Sequence, residues 1–190
     1  MNSYNKALIS PDKNKSMFDN IATRYDFLNK MISLGNDKLW RKKAVDLLNV
    51  KNGGEYVDAG CGTADLAIEI AGRFSGKNGK ILGIDQSEKM LEEGRRKVVS
   101  QNLDSIISLT VGDALKLPVP DSSVDGVISG FVIRNIDDRT GAFTEWLRVL
   151  KPGGKCVILE LSKPDNFLTL TGYNFFANFV IPFIGLFLSK

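Results

Sequence analysis

Along the middle of the chain, short unbroken apolar runs alternate with longer stretches in which apolar residues recur every three or four positions. The short runs, Glu55 to Asp58, Lys80 to Ile84, Ile106 to Val111, Val124 to Ser129 and Lys155 to Leu161, are too compact for helices and predict five strands. Between them, Leu66, Ala67, Ile70, Ala71 and Phe74 mark one helical face, and Met90, Leu91, Gly94 and Val98 mark a second, capped by Ser87. A third helix starts at Asp137 or Asp138, turns Ala142, Phe143, Trp146, Leu147 and Leu150 inward, and stops at Pro152-Gly153-Gly154. Before the first strand, Trp40, Ala44, Leu47 and Leu48 predict a buried stripe, and Met17 to Leu34 predicts one or two short helices. Strands alternating with helices imply an α/β fold with a doubly wound, mostly parallel sheet, whose ligands bind at the carboxyl ends of the strands.

Composition narrows this picture. At 190 residues, with 43% hydrophobic and 25% charged residues, the chain suits one globular domain. The expected division is a mobile segment 1–16 and a domain 17–190, comprising a helical cover 17–52, a cofactor-binding core 53–164 and an apolar tail 165–190. A net charge of +3 with scattered lysine and arginine argues for no nucleic-acid partner. The two cysteines, Cys61 and Cys156, offer neither a disulfide framework nor a metal spacing, and the absence of histidine removes the commonest metal ligand and general base. No metal is expected. The polar amino terminus has no apolar signal core, and the tail is broken by Asn178 and Pro182, short of the roughly 18 apolar residues a span needs. A cytoplasmic chain is the expectation.

The candidate chemistry lies in Val57-Asp58-Ala59-Gly60-Cys61-Gly62-Thr63-Ala64-Asp65, with a further acid, Asp85, closing the second strand. Two apolar strands ending in acids, the first turning through paired glycines into a helix, read as a nucleotide-type cofactor site. A pyrophosphate needs backbone N–H groups with little negative charge nearby, yet Asp58 and Asp65 flank this turn and no lysine follows the glycines. NAD and ATP fit poorly. S-adenosyl-L-methionine carries a ribose, an adenine, a sulfonium and an ammonium but no phosphate, so the sign of the charge points to methyl transfer.

Further motifs then give a family. Phe18-Asp19, Ile21-Ala22, Arg24-Tyr25-Asp26 and Asn29 are followed by Cys61-Gly62-Thr63, Arg134-Asn135, and the run Arg148 to Gly154. The chain resembles the ubiquinone/menaquinone biosynthesis C-methyltransferases from about Phe18 onward, including Leu159-Glu160-Leu161-Ser162-Lys163-Pro164. The resemblance implies a Rossmann-like class I fold and methylation of a ring carbon in a polyprenylated quinol, demethylmenaquinol or the matching ubiquinol precursor. It implies cofactor contacts from Thr63, Asp85, Asp113 with Ala114, and Gly130, beside Asp58, Gly60 and Gly62 of the turn. Arg134 and Asn135 are assigned to the substrate, the first to stabilise a phenolate or orient a water and the second to hold the quinol oxygen. Tyr25 and Asp26 are expected to cover the cofactor as a lid.

The chain departs from the family pattern at Ala64 and Val132, where glycines are expected, and both substitutions are tolerable if φ is negative. It also stops at Lys190, where relatives continue through a further helix and a last antiparallel strand pair. An exposed edge strand and apolar surface are the expected result, and with them a surface for pairing with a second copy. Phe175, Phe176, Phe179, Ile181 and Phe183 are read as a lining for the isoprenoid chain and a contact with the inner face of the membrane. Two rival functions stand beside this one: a non-catalytic remnant that binds cofactor or quinone, and a methyltransferase acting on another small molecule.

Overall fold

The computed structural model describes residues 11–76 and 78–161. The chain divides into two compact units, Met1–Glu160 and Leu161–Lys190, and the fold lies in the first. Five strands, β1 (Glu55–Ala59), β2 (Lys80–Asp85), β3 (Ile107–Val111), β4 (Val124–Gly130) and β5 (Leu150–Leu159), form one sheet in the order β3-β2-β1-β4-β5. Every neighbouring pair is parallel. Strand order reverses between β1 and β4, so the loops leaving these two strands diverge to opposite faces and open a crevice at their carboxyl ends.

Successive residues of β1 serve opposite faces, as strand pleating requires. Tyr56 packs with α3 (Asp37–Leu48) and α4 (Asp65–Ala71) around Ala44, Val45, Leu48, Ile70 and Phe74. Val57 packs on the other side with Ala142, Trp146 and Val149 of α6 (Arg139–Val149). The remaining helices are α1 (Pro11–Ile21), α2 (Tyr25–Ile32) and α5 (Glu88–Ser100), the last capped by Ser87, whose side chain accepts from the Met90 N–H at 3.2 Å. Asp138 caps α6 in the same way through Gly141. The doubly wound α/β sheet read from the sequence is the observed architecture.

Helix α1 begins at Pro11; proline suits the first helical position because its missing N–H has no partner there. Two helical faces are corrected. In α3 the buried stripe is Asp37, Arg41, Ala44, Val45 and Leu48, while Leu47 is 68% exposed, because an ion pair rather than Trp40 occupies the inward face. In α6 the inward residues are Ala142, Trp146 and Val149, and Phe143 and Leu147 face outward. Strand β5 follows α6 directly, and Pro152-Gly153-Gly154 forms an irregularity where its register against β4 shifts. It is the outermost strand on its side among the described residues, with Cys156 and Ile158 exposed. The aromatic residues assigned to an isoprenoid channel, and the 164/165 boundary, lie outside the described residues.

Candidate functional site

A cleft of about 290 Å³ opens where the crevice is expected, and Gly60, Gly62, Asp85, Asp113, Ala114 and Gly130 line it with Tyr25 and Asn135. The turn after β1 is shaped by two backbone bonds, from the N–H groups of Gly60 and Cys61 to the Ile84 carbonyl at 2.8 and 2.9 Å. Gly60 has φ +76°, and a Cβ there would stand 2.5 Å from Val132 Cγ2, so no side chain fits. At Gly62, φ +52°, an added Cβ would enter the cleft 3.1 Å from Met90 Cε. The departure at Ala64 resolves against expectation: its φ is +65°, whereas Val132 has φ −107°. Phe131, beside Val132 on the cleft wall, also holds a positive φ of 62°.

Asp85 ends β2 with both carboxylate oxygens engaged by backbone. Oδ2 accepts from Gly62 N–H at 2.8 Å and Oδ1 from Ser87 N–H at 2.9 Å. Burial raises its pKa, and the N–H groups of Ser87, Gly62 and Gln86 only partly offset that rise. Asp113 anchors the opposite wall, its Oδ1 accepting from Leu115 N–H at 2.9 Å. Tyr25 reaches the cleft from the cover, edge-on to Phe18, and burial raises its phenol above the usual value, so it is a neutral hydroxyl near neutral pH.

Four of the expected site residues do not line the cleft. Asp58 is fully buried beneath the turn, where Oδ2 accepts from Ala67 N–H at 3.1 Å and Oδ1 has no hydrogen-bond partner. Thr63 is also buried and donates its hydroxyl to Asp26 Oδ1 at 2.6 Å, on the far side of the turn. Asp26 therefore ties the cover to the turn from behind instead of closing over the cleft with Tyr25. Arg134 sits at the rim, over the Phe131 ring at 5.7 Å, with Nη1 3.2 Å from Glu160 Oε1. Its charge reaches Tyr25, whose pKa it pulls down against the larger effect of burial.

Sequence reasoning missed Lys15, Ser87, Met90 and Phe131 in the cleft wall, and Glu160 as the partner of Arg134. Ser87 was legible only as a helix cap; its hydroxyl also donates to Asp19 Oδ1 of α1 at 2.5 Å, which seats the cover against the cleft edge.

The donor set suits S-adenosylmethionine. Four carboxylates, Asp85, Asp113, Asp137 and Asp138, line the cleft against one ammonium, that of Lys15, which favours a cationic ligand and opposes a pyrophosphate. Asp58 adds a buried acid with an unused oxygen below the same turn. Burial foremost pushes its pKa up to about 7, the Asp85 and Asp65 charges adding to the rise. Among the described residues there is no cluster able to hold a metal ion.

Similarity to known proteins agrees with this geometry. The ubiE/COQ5 methyltransferase family matches residues 7–190. The chain belongs to that family. It is 42% identical over 171 residues to the ubiquinone/menaquinone biosynthesis C-methyltransferase UbiE of Geobacter sulfurreducens, covering 90% of this chain and 66% of that one. It is 41% identical to the demethylmenaquinone methyltransferase of Staphylococcus carnosus, covering 94% and 73%. The chain thus spans slightly under two thirds of the length of the Geobacter relative. Among solved structures, a SAM-dependent methyltransferase from Aquifex aeolicus is similar with a TM-score of 0.62 at 22% identity, covering 75% of each chain. The cyclase SpnF is similar with a TM-score of 0.69 at 21% identity, covering 81% of this chain and 61% of that one. Identities this low show the shared fold, and a cyclase on it illustrates that the fold alone does not set the reaction.

Proposed function

We propose that this family member transfers a methyl group from S-adenosylmethionine to a ring carbon of a polyprenylated quinol. The observation that carries the reading is a cleft at the β1/β4 switch point whose wall is acidic and glycine-lined, in a chain 42% identical to a quinone C-methyltransferase. When bound, the cofactor supplies an electrophilic methyl on a sulfonium that departs as a neutral thioether. Asp85 would receive a ribose hydroxyl, since its two oxygens offer about four lone-pair sites and backbone N–H groups do not fill them all. Asp113 and Ala114 would hold the adenine, and the glycines of the turn would admit the methionine end.

The ring carbon must become nucleophilic, and loss of a phenolic proton, with an ordinary pKa of about 10, supplies that electron density. Arg134 meets Glu160 as an ion pair through Nη1 at 3.2 Å, and a guanidinium carries five N–H donors, enough to serve a phenolate oxygen as well. Asn135, in the cleft wall, would orient that oxygen. The apolar tail and contact with a membrane surface belong to this proposal through the substrate's prenyl chain; no helix among the described residues is long and apolar enough to cross a membrane.

The test is transfer of labelled methyl to demethylmenaquinol kept reduced. Arg134→Ala should lower turnover roughly 100-fold, the scale of losing one charge-stabilising donor, while leaving cofactor affinity unchanged. Equal losses in both would end the division between a cofactor end and a substrate end. Cofactor binding without transfer to any quinol would overturn the substrate assignment alone.

A further inference from the structure

On the far side of the glycine turn, away from the cleft, the Lys97 ammonium of α5 is engaged by three groups. It donates to Asp26 Oδ2 at 2.8 Å, to Thr63 Oγ1 at 3.2 Å and to Asp65 Oδ1. An ammonium has three hydrogens, so all are used. The Thr63 hydroxyl accepts from Lys97 and donates its own hydrogen bond to the other oxygen of Asp26, at 2.6 Å. Asp65 Oδ2 meets Arg41 Nη2 at 3.1 Å, and Arg41 is in turn paired with Asp37 at 2.5 Å. One lysine therefore joins α5, the cofactor turn and α2.

Helix α2 needs such a tie. Its residues are half-buried or exposed and none is fully buried, so apolar packing alone holds it only loosely. Yet α2 carries Tyr25, the cover's side chain over Gly62, where the ring stands 3.9 Å from the place a Gly62 Cβ would take. Asp26 is the next residue, so whatever holds Asp26 holds Tyr25. We propose that Lys97 is a positioning residue that couples occupation of the cofactor cleft to the seating of Tyr25 above it. The coupling works in both directions: a ligand that orders the turn sets Thr63 and Asp65 to receive Lys97, and Lys97 then draws Asp26 and α2 down. It rests on the reading of the cleft as a site for S-adenosylmethionine.

The experiment compares wild type, Lys97→Met, Lys97→Arg and Asp26→Asn by calorimetric titration with S-adenosylmethionine and with S-adenosylhomocysteine, which lacks the sulfonium charge. Lys97→Met should weaken both ligands by a similar factor of about ten, a typical coupling between two sites. In the unliganded protein it should also speed amide exchange in α2 while leaving β1 and β2 unchanged. Lys97→Arg should recover part of the affinity, and Asp26→Asn combined with Lys97→Met should cost no more than Lys97→Met alone, since both break one tie. If Lys97 acts only as a charge, its removal would favour the cationic ligand over the neutral one, and positioning would be wrong. Lower thermal stability with unchanged affinity and unchanged α2 exchange would reduce it to a structural lysine. Failure of the wild type to bind either ligand would instead overturn the cofactor reading, and this inference with it.

Discussion

Asp85 in the cleft wall and Asp58 beneath the turn take their hydrogen bonds from backbone N–H groups, whereas on the far side of the glycine turn Asp26, Asp37 and Asp65 are matched to Lys97 and Arg41. The consequences are opposite. Burial raises Asp85 and Asp58, while at Asp37 the Ser33 hydroxyl and Arg41 outweigh burial and hold the carboxyl below its usual range. Asp85, in the cleft wall and without a cation, remains ready for a cationic ligand, and carboxylates given cations fix the position of helices. A few residues of chain separate the two uses, and the partners decide between them.

The comparison can be broken most directly at Asp85. Asp85→Asn leaves one amide oxygen to accept from backbone and points a donor at the other N–H, so affinity for S-adenosylmethionine should fall about 100-fold, with about 1–3 kcal/mol lost from stability. Calorimetry and a urea midpoint measure the two. Unchanged affinity would mean that the cleft-side acids are structural and that the distinction between the two sides does not bear on ligand.

Asp58 sharpens the comparison through pH. Its folded pKa, pushed up to about 7, lies well above an unfolded value of roughly 4. Between these limits the folded protein keeps a proton that the unfolded chain has released, so stability falls as pH rises through that window and levels off above it. Asp58→Asn should flatten the profile between about pH 5 and 7, by at most about 1.4 kcal/mol per pH unit. A midpoint that stays flat in the wild type would show that Asp58 is already compensated and belongs with the acids of the far side.

Much of the cleft was legible because strand ends, paired glycines and acids announce themselves locally. The sheet, the switch point, and the positions of Gly60, Gly62 and Asp85 follow from apolar runs and what terminates them, while Asp113 and Gly130 came from the family resemblance. The far side was not legible, since Lys97, Arg41 and Asp26 lie on three different helices and meet only when these pack. Helical faces misled where a charge turned inward: Arg41 sits at a position that periodicity would give to an apolar residue, and Leu47 was displaced outward. Arg134 was singled out from the resemblance, while its ion-pair partner Glu160, just past the end of β5, lies 26 residues further on and could not be read from the motif.

The smallest expected effect lies at the seam between the two sides. Ala64 holds φ +65° at the start of α4, a conformation that costs a non-glycine residue about 1–2 kcal/mol. Replacing it by glycine relieves that strain but removes a fully buried methyl, worth about 0.8 kcal/mol, and frees the unfolded chain by about 0.4–1 kcal/mol. The terms nearly cancel, so Ala64→Gly should move the urea midpoint by less than the equivalent of about 1 kcal/mol. The methyl also fills space over α5, where a Cβ on Gly94 would stand 3.3 Å from Ala64 Cβ and 2.9 Å from Leu109 Cδ1. Gly94→Ala should therefore cost less in the Ala64→Gly background than in the wild type, by the part of the crowding that Ala64 contributes. Additive changes would assign the clash to Leu109 and the Thr63 backbone, and the alanine would then be a strained substitution with no complementary partner across the helix interface.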